Sequence, residues 1–262
     1  MKAIKHIALA LSVLGSAAVP AIAAPAAQVK PTVILVHGAF ADATSWNGVA
    51  AKLRADGYKV IGAANPLRSV KGDAVSVANI VKSVDGPVVL VGHSYGGAVI
   101  SAAAQGQANV RSLVYVAAFA PDQGETALEL SGRYPGSTLG GALAKPVLLA
   151  DGGKDFYIDQ DKFHQQFAAD LPPAQADLMA VAQRPIAEAA LTEAAGAPAW
   201  KRLPSYFIYG TGDRNIPAAA LGFMAERAKS RKTVEIPGAS HVVMSSHPAA
   251  VARLIEEAAG AE

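Results

Sequence analysis

A serine flanked by glycines is the first place where this chain could carry out covalent chemistry. The segment Gly92–Gly96 reads G-x-S-x-G around Ser94, and it joins the apolar run Pro87–Val91 to a small-residue, helix-like stretch, Gly96–Gln105. In a strand-to-helix turn this tight, the serine is strained with its hydroxyl exposed, and side chains at positions 92 and 96 would collide. The N–H of Tyr95 would open the helix and point toward developing negative charge. The pattern therefore predicts a serine nucleophile with an oxyanion donor beside it.

A serine nucleophile needs a base and an acid that orients the base, and both residue types follow late predicted strands. Asp213 follows the apolar run Ser205–Tyr209, and His241 follows the run Thr233–Ile236. The chain order Ser94, Asp213, His241 is the order expected for this group on a parallel sheet. We therefore predict that these three residues form a catalytic triad.

Other acids and histidines compete for these roles. Asp155 and Asp151 are the alternative acids, although a solvated helix start would also account for them. We expect His37 to brace the loop after the first strand, and the side chain of His93 to leave the serine turn in another direction. The remaining histidines lie in the leader, the inserted segment and the start of the last helix: His6, His164 and His247.

Apolar runs alternate with helical patterns along most of the chain. The predicted strands are Thr32–Val36, Lys59–Ile61, Pro87–Val91, Ser112–Ala118, Ser205–Tyr209 and Thr233–Ile236. The predicted helices are Trp46–Ala55, Asp73–Val84, Gly96–Gln105 and Pro248–Ala259. Continuous rather than alternating apolar strands, spaced by helices, indicate an α/β fold with a mostly parallel sheet covered by helices on both faces.

One segment, from about 121 to 203, interrupts the alternation. It contains mainly helical patterns, such as Asp161–Ala169 and Ala174–Ala182, and one possible short strand, Pro146–Ala150. A segment of about 80 residues is too long for a loop in a compact domain, so we predict an inserted helical cap. Because it leaves the sheet at the carboxyl edge, we expect it to lie over Ser94.

Composition excludes several classes of protein. The 262 residues are 52% apolar and 17% charged, which suits one globular domain. There is no cysteine, so disulfide scaffolds, Fe–S clusters and cysteine nucleophiles are excluded. A formal net charge of +2 gives no indication of nucleic-acid binding.

The first residues have the pattern of a secretory signal peptide. A basic start with Lys2 and Lys5 precedes an apolar run and the A-x-A site Ala21–Ala23. We predict cleavage after Ala23, which leaves one domain over residues 24–262; the alternative is an uncleaved membrane anchor, for which the apolar run is short. The mature chain should then be exported to the bacterial periplasm or medium, without membrane association.

Four motifs resemble those of the α/β-hydrolase superfamily: HGAF, GHSYGG, GTGD and GASH. The resemblance covers residues 31–262 and points to small bacterial serine esterases and to the plant methylesterase and hydroxynitrile lyase group. It implies the α/β-hydrolase fold and the triad Ser94, Asp213 and His241. It also implies that the N–H of Ala39 is a second oxyanion donor beside that of Tyr95.

Two departures narrow the implied chemistry. The lyases carry threonine and lysine where this chain has Gly38 and Val242, which disfavours cyanohydrin cleavage. Haloalkane dehalogenases and epoxide hydrolases of this fold use an aspartate nucleophile, where this chain has Ser94. The expected function is hydrolysis of small-molecule carboxylic esters through an acyl-enzyme, without a metal or organic cofactor. The alternatives are a cofactor-free haloperoxidase or perhydrolase, and a binding protein that has lost the chemistry.

The sequence identifies the substrate pocket only loosely, and it does not indicate the oligomeric state. Phe40, in HGAF, is the candidate substrate-binding residue. Further residues could line a pocket or could equally belong to the core: Trp46, Tyr95, Phe119, Val242 and Met244.

Overall fold

A computed structural model describes residues 29–260 and contains a six-stranded parallel sheet. The strands of this sheet are β1 (Thr32–Val36), β2 (Val60–Ala63), β3 (Val88–His93), β4 (Val110–Val116), β8 (Ser205–Gly210) and β9 (Lys232–Ile236). They lie in the order β2-β1-β3-β4-β8-β9. Every neighbouring pair is parallel, so the carboxyl ends of all six strands meet at one edge.

Helices surround this sheet and fill the segment between β4 and β8. They are α1 (Asn47–Ala55), α2 (Val70–Lys82), α3 (Gly96–Ala103), α4 (Ala127–Gly132), α5 (Leu139–Ala142), α6 (Gln160–Phe167), α7 (Pro173–Ala182), α8 (Glu188–Thr192), α9 (Ala218–Arg227), α10 (Val243–Ser246) and α11 (Pro248–Gly260). Short 3₁₀ helices occupy Ala43–Trp46 and Ala199–Lys201. Helix α11 packs against α1, β4 and β8, whereas α2 packs against α3, which contacts β1, β3 and β4.

The burial of the strands matches their apolar sequence. Strands β1, β3 and β8 are buried along their whole length, and the edge strands β2 and β9 are partly exposed. Continuous burial is what a parallel sheet requires when both of its faces are covered. The predicted α/β architecture is confirmed.

The boundaries of two helices differ from the predicted ones. Helix α2 begins at Val70, three residues before the predicted start, because the Ser69 side chain accepts a hydrogen bond from the N–H of Gly72. The predicted helix Trp46–Ala55 is divided, since the 3₁₀ turn ends at Trp46 and α1 begins at Asn47.

The segment 121–203, here called the cap insert, is not helical throughout. Beside α4 to α8 it contains a three-stranded antiparallel sheet of β5 (Val147–Leu148), β6 (Lys154–Phe156) and β7 (Ile186–Ala187), in the order β5-β6-β7. Of these strands the sequence predicts only β5, within Pro146–Ala150. Two- and three-residue strands are too short for a period-2 pattern to be visible in the sequence.

No helix within residues 29–260 is long and apolar enough to cross a membrane. The predicted signal peptide, residues 1–23, lies outside the described residues.

Candidate active site

Ser94 lies in a strained turn between β3 and α3. Its φ is +53°, a left-handed conformation that non-glycine residues seldom adopt. A Cβ on Gly92 would lie 2.6 Å from the carbonyl oxygen of Gly96, and one on Gly96 would lie 2.5 Å from that of Val36. Glycine at both positions therefore lets the turn close against β1 while Ser94 protrudes from it.

Two backbone donors lie beside this serine. A Cβ on Gly38 would come within 2.5 Å of Ser94 Cβ, so the loop after β1 passes directly against the serine. Among the described residues, neither the N–H of Ala39 nor that of Tyr95 has an acceptor. Buried amides are nearly always paired, and Ala39 and Tyr95 are both buried. Both amides are therefore available to an oxygen atom that the protein itself does not supply.

Asp213 and His241 form a buried pair. Nδ1 of His241 donates to Oδ2 of Asp213 over 2.6 Å, while Oδ1 of Asp213 accepts from the N–H groups of Asn215 (2.8 Å) and Ile216 (3.0 Å). Because a carboxylate only accepts, the proton of the neutral imidazole lies on Nδ1. Nε2 of His241 is then the basic nitrogen.

Glycines after β8 allow the Asp213 and His241 loops to meet. A Cβ on Gly210 would lie 2.1 Å from the carbonyl oxygen of Ala239, and one on Gly212 would lie 2.7 Å from that of Gly238. The N–H of Gly212 also donates to the carbonyl of Ala239 over 3.0 Å. The GTGD motif thus provides the close approach as well as the acid.

The structure brings His241 next to the serine turn. Nε2 of His93, the residue before Ser94, donates to the backbone carbonyl of His241 over 3.1 Å, and the two rings are 4.7 Å apart. The Ser94 hydroxyl makes no hydrogen bond to any described residue and is only slightly accessible, since the residue is 7% exposed. The hydrogen bond between a catalytic hydroxyl and its base is often long or poorly aligned until substrate binds.

The other histidines have structural roles. Nδ1 of His37 donates to the carbonyl of Gly38 (2.9 Å), and its Nε2 accepts from the N–H of Asn65 (3.1 Å), so His37 ties the loop after β1 to the loop after β2. Burial lowers the pKa of His37 and holds the pKa of His93 well below its ordinary value. The folded protein therefore favours the neutral form of both rings.

These two neutral histidines make the protein sensitive to acid. In the unfolded chain each regains a pKa near 6.5, so below about pH 6.5 the unfolded state binds more protons and the free energy of unfolding falls. We expect a slope of up to about 2.7 kcal/mol per pH unit from the pair. Urea unfolding at about pH 7.5 and pH 5.5 measures it.

Two variants separate this effect from general acid denaturation. His93→Gln keeps a donor for the His241 carbonyl but removes the titration, so it should lower stability at neutral pH and lose part of the acid sensitivity. Ser112→Ala removes a buried hydrogen bond to the carbonyl of Ala258 and no titratable group, so it should lower stability but keep the wild-type pH dependence. Equal acid sensitivity in all three proteins would contradict the assignment.

The alternative acids lie elsewhere. Oδ1 of Asp155, on β6, forms an ion pair with the Arg68 guanidinium over 2.6 Å, and Oδ1 of Asp151 accepts from the N–H of Gly153 in an exposed turn. Only Asp213, of the three acids considered, hydrogen-bonds to His241.

The cap insert contacts the loops that carry Asp213 and His241. The ring of Phe167, at the end of α6, packs edge-on against His241 at 5.2 Å and is fully buried. The hydroxyl of Ser240 donates to Asp170 of the insert. On the other loop, Nε2 of Gln166 donates to Oδ1 of Asn215 over 2.8 Å. The insert therefore covers this edge of the sheet.

A cavity of about 240 Å³ lies between the loop after β1 and α7 of the insert. Phe40, Leu178, Met179 and Ser245 are among its lining residues. The Phe40 ring also packs edge-on against Phe167 at 6.1 Å, which links the cavity wall to the ring on His241.

The other pocket candidates from the sequence are buried and line no part of this cavity: Trp46, Tyr95, Phe119, Val242 and Met244. Trp46 packs against the His93 ring at 6.3 Å, and the Tyr95 hydroxyl is bound to Asp73.

Asp73 and Phe167 lie close to the site but were not identified from the sequence. Asp73 falls within the buried stripe of α2, between Val70 and Val77, and an acid in such a stripe is a visible signal. Phe167 gave no signal, because its partner His241 is 74 residues away in the chain. Within residues 29–260 no group of three or more His, Asp or Glu side chains could hold a metal ion.

Comparison with known proteins identifies the family. The model described as the alpha/beta hydrolase family matches residues 33–254. The chain belongs to this family. This chain is 26% identical over 255 residues to "Alpha/beta hydrolase nvfD" of Aspergillus novofumigatus, and the alignment covers 89% of this chain and 98% of that protein.

Similarity extends to proteins named as esterases. Over 251 residues the α/β hydrolase is 26% identical to "Putative methylesterase 11, chloroplastic" of Arabidopsis thaliana, covering 86% of this chain and 63% of the relative. The crystal structure of polyneuridine aldehyde esterase matches with a TM-score of 0.76 at 18% identity, covering 87% of this chain and 99% of that chain. These matches confirm the expected fold and the resemblance to the methylesterase group.

Proposed function

We propose that this α/β hydrolase cleaves carboxylic esters of small molecules by acyl transfer through Ser94. The observation that carries the proposal is the arrangement of the Asp213–His241 pair beside a strained serine with two unpaired amides. The relative named as a putative methylesterase supports the substrate class.

In the first step Nε2 of His241 takes the proton of the Ser94 hydroxyl as the Ser94 oxygen bonds to the ester carbonyl carbon. The N–H groups of Ala39 and Tyr95 stabilise the oxyanion, and one such donor contributes about 3–4 kcal/mol to lowering the barrier. His241 then gives the proton to the leaving alcohol as the ester C–O bond breaks. His241 next takes a proton from water as the water oxygen bonds to the acyl carbon. The bond from that carbon to Ser94 then breaks, His241 returns the proton to the Ser94 oxygen, and the acid is released.

Gly38 favours ester hydrolysis over the lyase chemistry of the plant group. Any side chain there would meet Ser94 Cβ at 2.5 Å, so a threonine does not fit this backbone. Val242 is fully buried and carries no charge to hold a cyanide leaving group.

The test is a panel of esters graded by acyl length and alcohol size, measured beside Ser94→Ala. The proposal requires hydrolysis that the variant lacks. Peroxide-dependent halogenation on the same preparation tests the haloperoxidase alternative. Absence of Ser94-dependent hydrolysis across the panel would contradict the proposal.

We also propose that the cavity beside Phe40 receives the apolar group of the ester. Its volume of about 240 Å³ is below the range of about 300–1,000 Å³ typical of whole ligand sites, so it suits one arm of a substrate. Phe40 follows Ala39 directly, and its N–H is fixed by the carbonyl of Arg184 in the insert over 3.0 Å.

Filling this cavity should change selectivity. Met179→Trp is expected to lower the ratio of kcat/KM for long or bulky esters to kcat/KM for a small acetate ester at least about tenfold. The reason is that the added ring occupies the space of the apolar group. Leu128→Trp, at an exposed position of α4 outside the cavity, is the control. Separate acyl and alcohol series show which half of the ester enters. An unchanged ratio in Met179→Trp would rule out the cavity as this subsite.

We propose export with removal of residues 1–23. Mature protein secreted by a bacterial host should begin at Ala24, because Ala21–Ala23 supplies the A-x-A site. Intact-mass measurement checks this, with Ala23→Phe as a variant in which processing should fail. A secreted, active wild-type protein that retains Met1 would contradict the proposal.

A further inference from the structure

The Tyr95 side chain points away from the site to which its N–H belongs. Its hydroxyl donates to Oδ2 of Asp73 over 2.9 Å, and the residue is 1% exposed. Tyr95 is thus held at two places: its backbone is part of the turn after Ser94, and its phenol is anchored on α2.

Asp73 is a buried carboxylate in the first turn of α2. Besides the Tyr95 hydroxyl, it accepts from the backbone N–H of Arg68, at 3.2 Å to Oδ1 and 3.1 Å to Oδ2. Burial raises the pKa of Asp73, whereas the hydrogen bonds from Arg68 and Tyr95 act in the opposite direction. The carboxylate is therefore fixed by the two groups that it connects.

The side chain of Arg68 extends this connection to the cap insert. Its NH1 pairs with Oδ1 of Asp155 on β6 over 2.6 Å, and its NH2 donates to the carbonyl of Pro185 over 3.0 Å. Pro185 immediately precedes β7. One path of hydrogen bonds therefore runs from the small sheet of the insert, through Arg68 and Asp73, to the residue beside Ser94.

We propose that the Tyr95 phenol is a positioning group, whose hydrogen bond to Asp73 holds the backbone N–H of Tyr95 in place in the oxyanion site. Arg68 couples the position of this N–H to the position of the cap insert. The inference rests on the proposed acyl transfer. Its physical basis is that oxyanion donors act only when held within about 0.5 Å and 10–20° of the productive geometry. The two anchors of Tyr95 restrict rotation of the turn.

Tyr95→Phe removes one oxygen atom and tests the first half of the proposal. We expect kcat to fall about tenfold with KM within about twofold, as for an interaction made in the transition state. The affinity for an alkyl trifluoromethyl ketone, whose adduct with Ser94 places an oxyanion in the same site, should fall by the same factor.

Tyr115→Phe is the matched control. Tyr115 is also a buried tyrosine, on β4, and it shares a 2.7 Å hydrogen bond with the hydroxyl of Ser101. It should lose comparable stability, measured as Tm, while kcat and ketone affinity stay within about twofold of wild type. Equal losses of kcat in the two variants would overturn the positioning role.

Arg68→Met tests the coupling to the insert, because it removes the guanidinium but keeps the backbone N–H that binds Asp73. We expect kcat to fall about fivefold, and the double variant Tyr95→Phe/Arg68→Met to be no worse than Tyr95→Phe within about twofold. A double variant whose loss of kcat equals the product of the two single losses would overturn the coupling.

Calorimetric binding of the ketone needs no turnover, so it separates this inference from the proposed function. If the protein hydrolyses no ester but Tyr95→Phe still weakens ketone binding, only the proposal of ester hydrolysis is contradicted. Ester hydrolysis that depends on Ser94, with ketone binding equal in wild type and Tyr95→Phe, would contradict the positioning role alone.

Discussion

Replacement of Ser94 or His241 by alanine is expected to lower kcat by about four to six orders of magnitude, with the double variant little worse than either single one. The reason is that the serine and its base act as one unit. Without His241 Nε2 the serine proton has no acceptor, and without the serine the base has nothing to activate. Active-site titration and steady-state kinetics on the same ester measure both effects.

Ser112→Ala and His247→Ala are the controls for this pair of substitutions. The hydroxyl of Ser112 is buried and donates to the carbonyl of Ala258, so its removal costs a comparable hydrogen bond far from the site. Both controls should keep kcat within about twofold of wild type. Multiplicative losses in Ser94→Ala/His241→Ala would show that the two residues do not act together.

Asp213→Asn is expected to lower kcat by about three orders of magnitude, less than loss of the serine. The N–H groups of Asn215 and Ile216 both donate to Oδ1, so an asparagine would keep its oxygen there and turn its NH₂ toward His241. Nδ1 of His241 would then have to accept, and the proton would move to Nε2, where it blocks uptake of the serine proton. A pH–rate profile and ¹⁵N histidine spectra follow this change of tautomer.

The two other acids provide the comparison. Asp151→Asn should leave kcat unchanged, because its carboxylate lies in an exposed turn. Asp155→Asn weakens the pair with Arg68 and should stay within about tenfold of wild type. Full activity in Asp213→Asn together with inactivity in Asp155→Asn would reassign the acid.

The sheet and the order of the three candidate residues could be predicted because each depends on local sequence. Continuous apolar runs identified β1, β3 and β8, and the glycines around Ser94 identified its turn. Those glycines are informative because a Cβ there would clash with backbone, as Gly92 and Gly96 show.

The surroundings of the site could not be predicted in the same way. The ring of Phe167 on His241 and the bond from Tyr95 to Asp73 join residues far apart in the chain, and no local periodicity records such contacts. The small sheet of the cap insert was missed because strands such as β7 have two residues. Non-local packing, rather than propensity, decides these features.

Left-handed backbone is concentrated at the edge of the sheet that carries the site. Of the five non-glycine residues with positive φ within residues 29–260, four lie in turns there: Phe40, Leu67, Ser94 and Ala117. Each such conformation costs about 1–3 kcal/mol, against a total stability of about 5–15 kcal/mol for a typical domain. At Phe40 and Leu67 the buried side chain is worth at least as much as the strain, so glycine would not be favoured there. At Ser94, whose side chain is small, selection for thermal stability alone would favour glycine, and the nucleophile would be lost. Stability and activity are therefore opposed at this position, and directed evolution toward a more heat-resistant hydrolase has to leave it unchanged and seek its gains elsewhere.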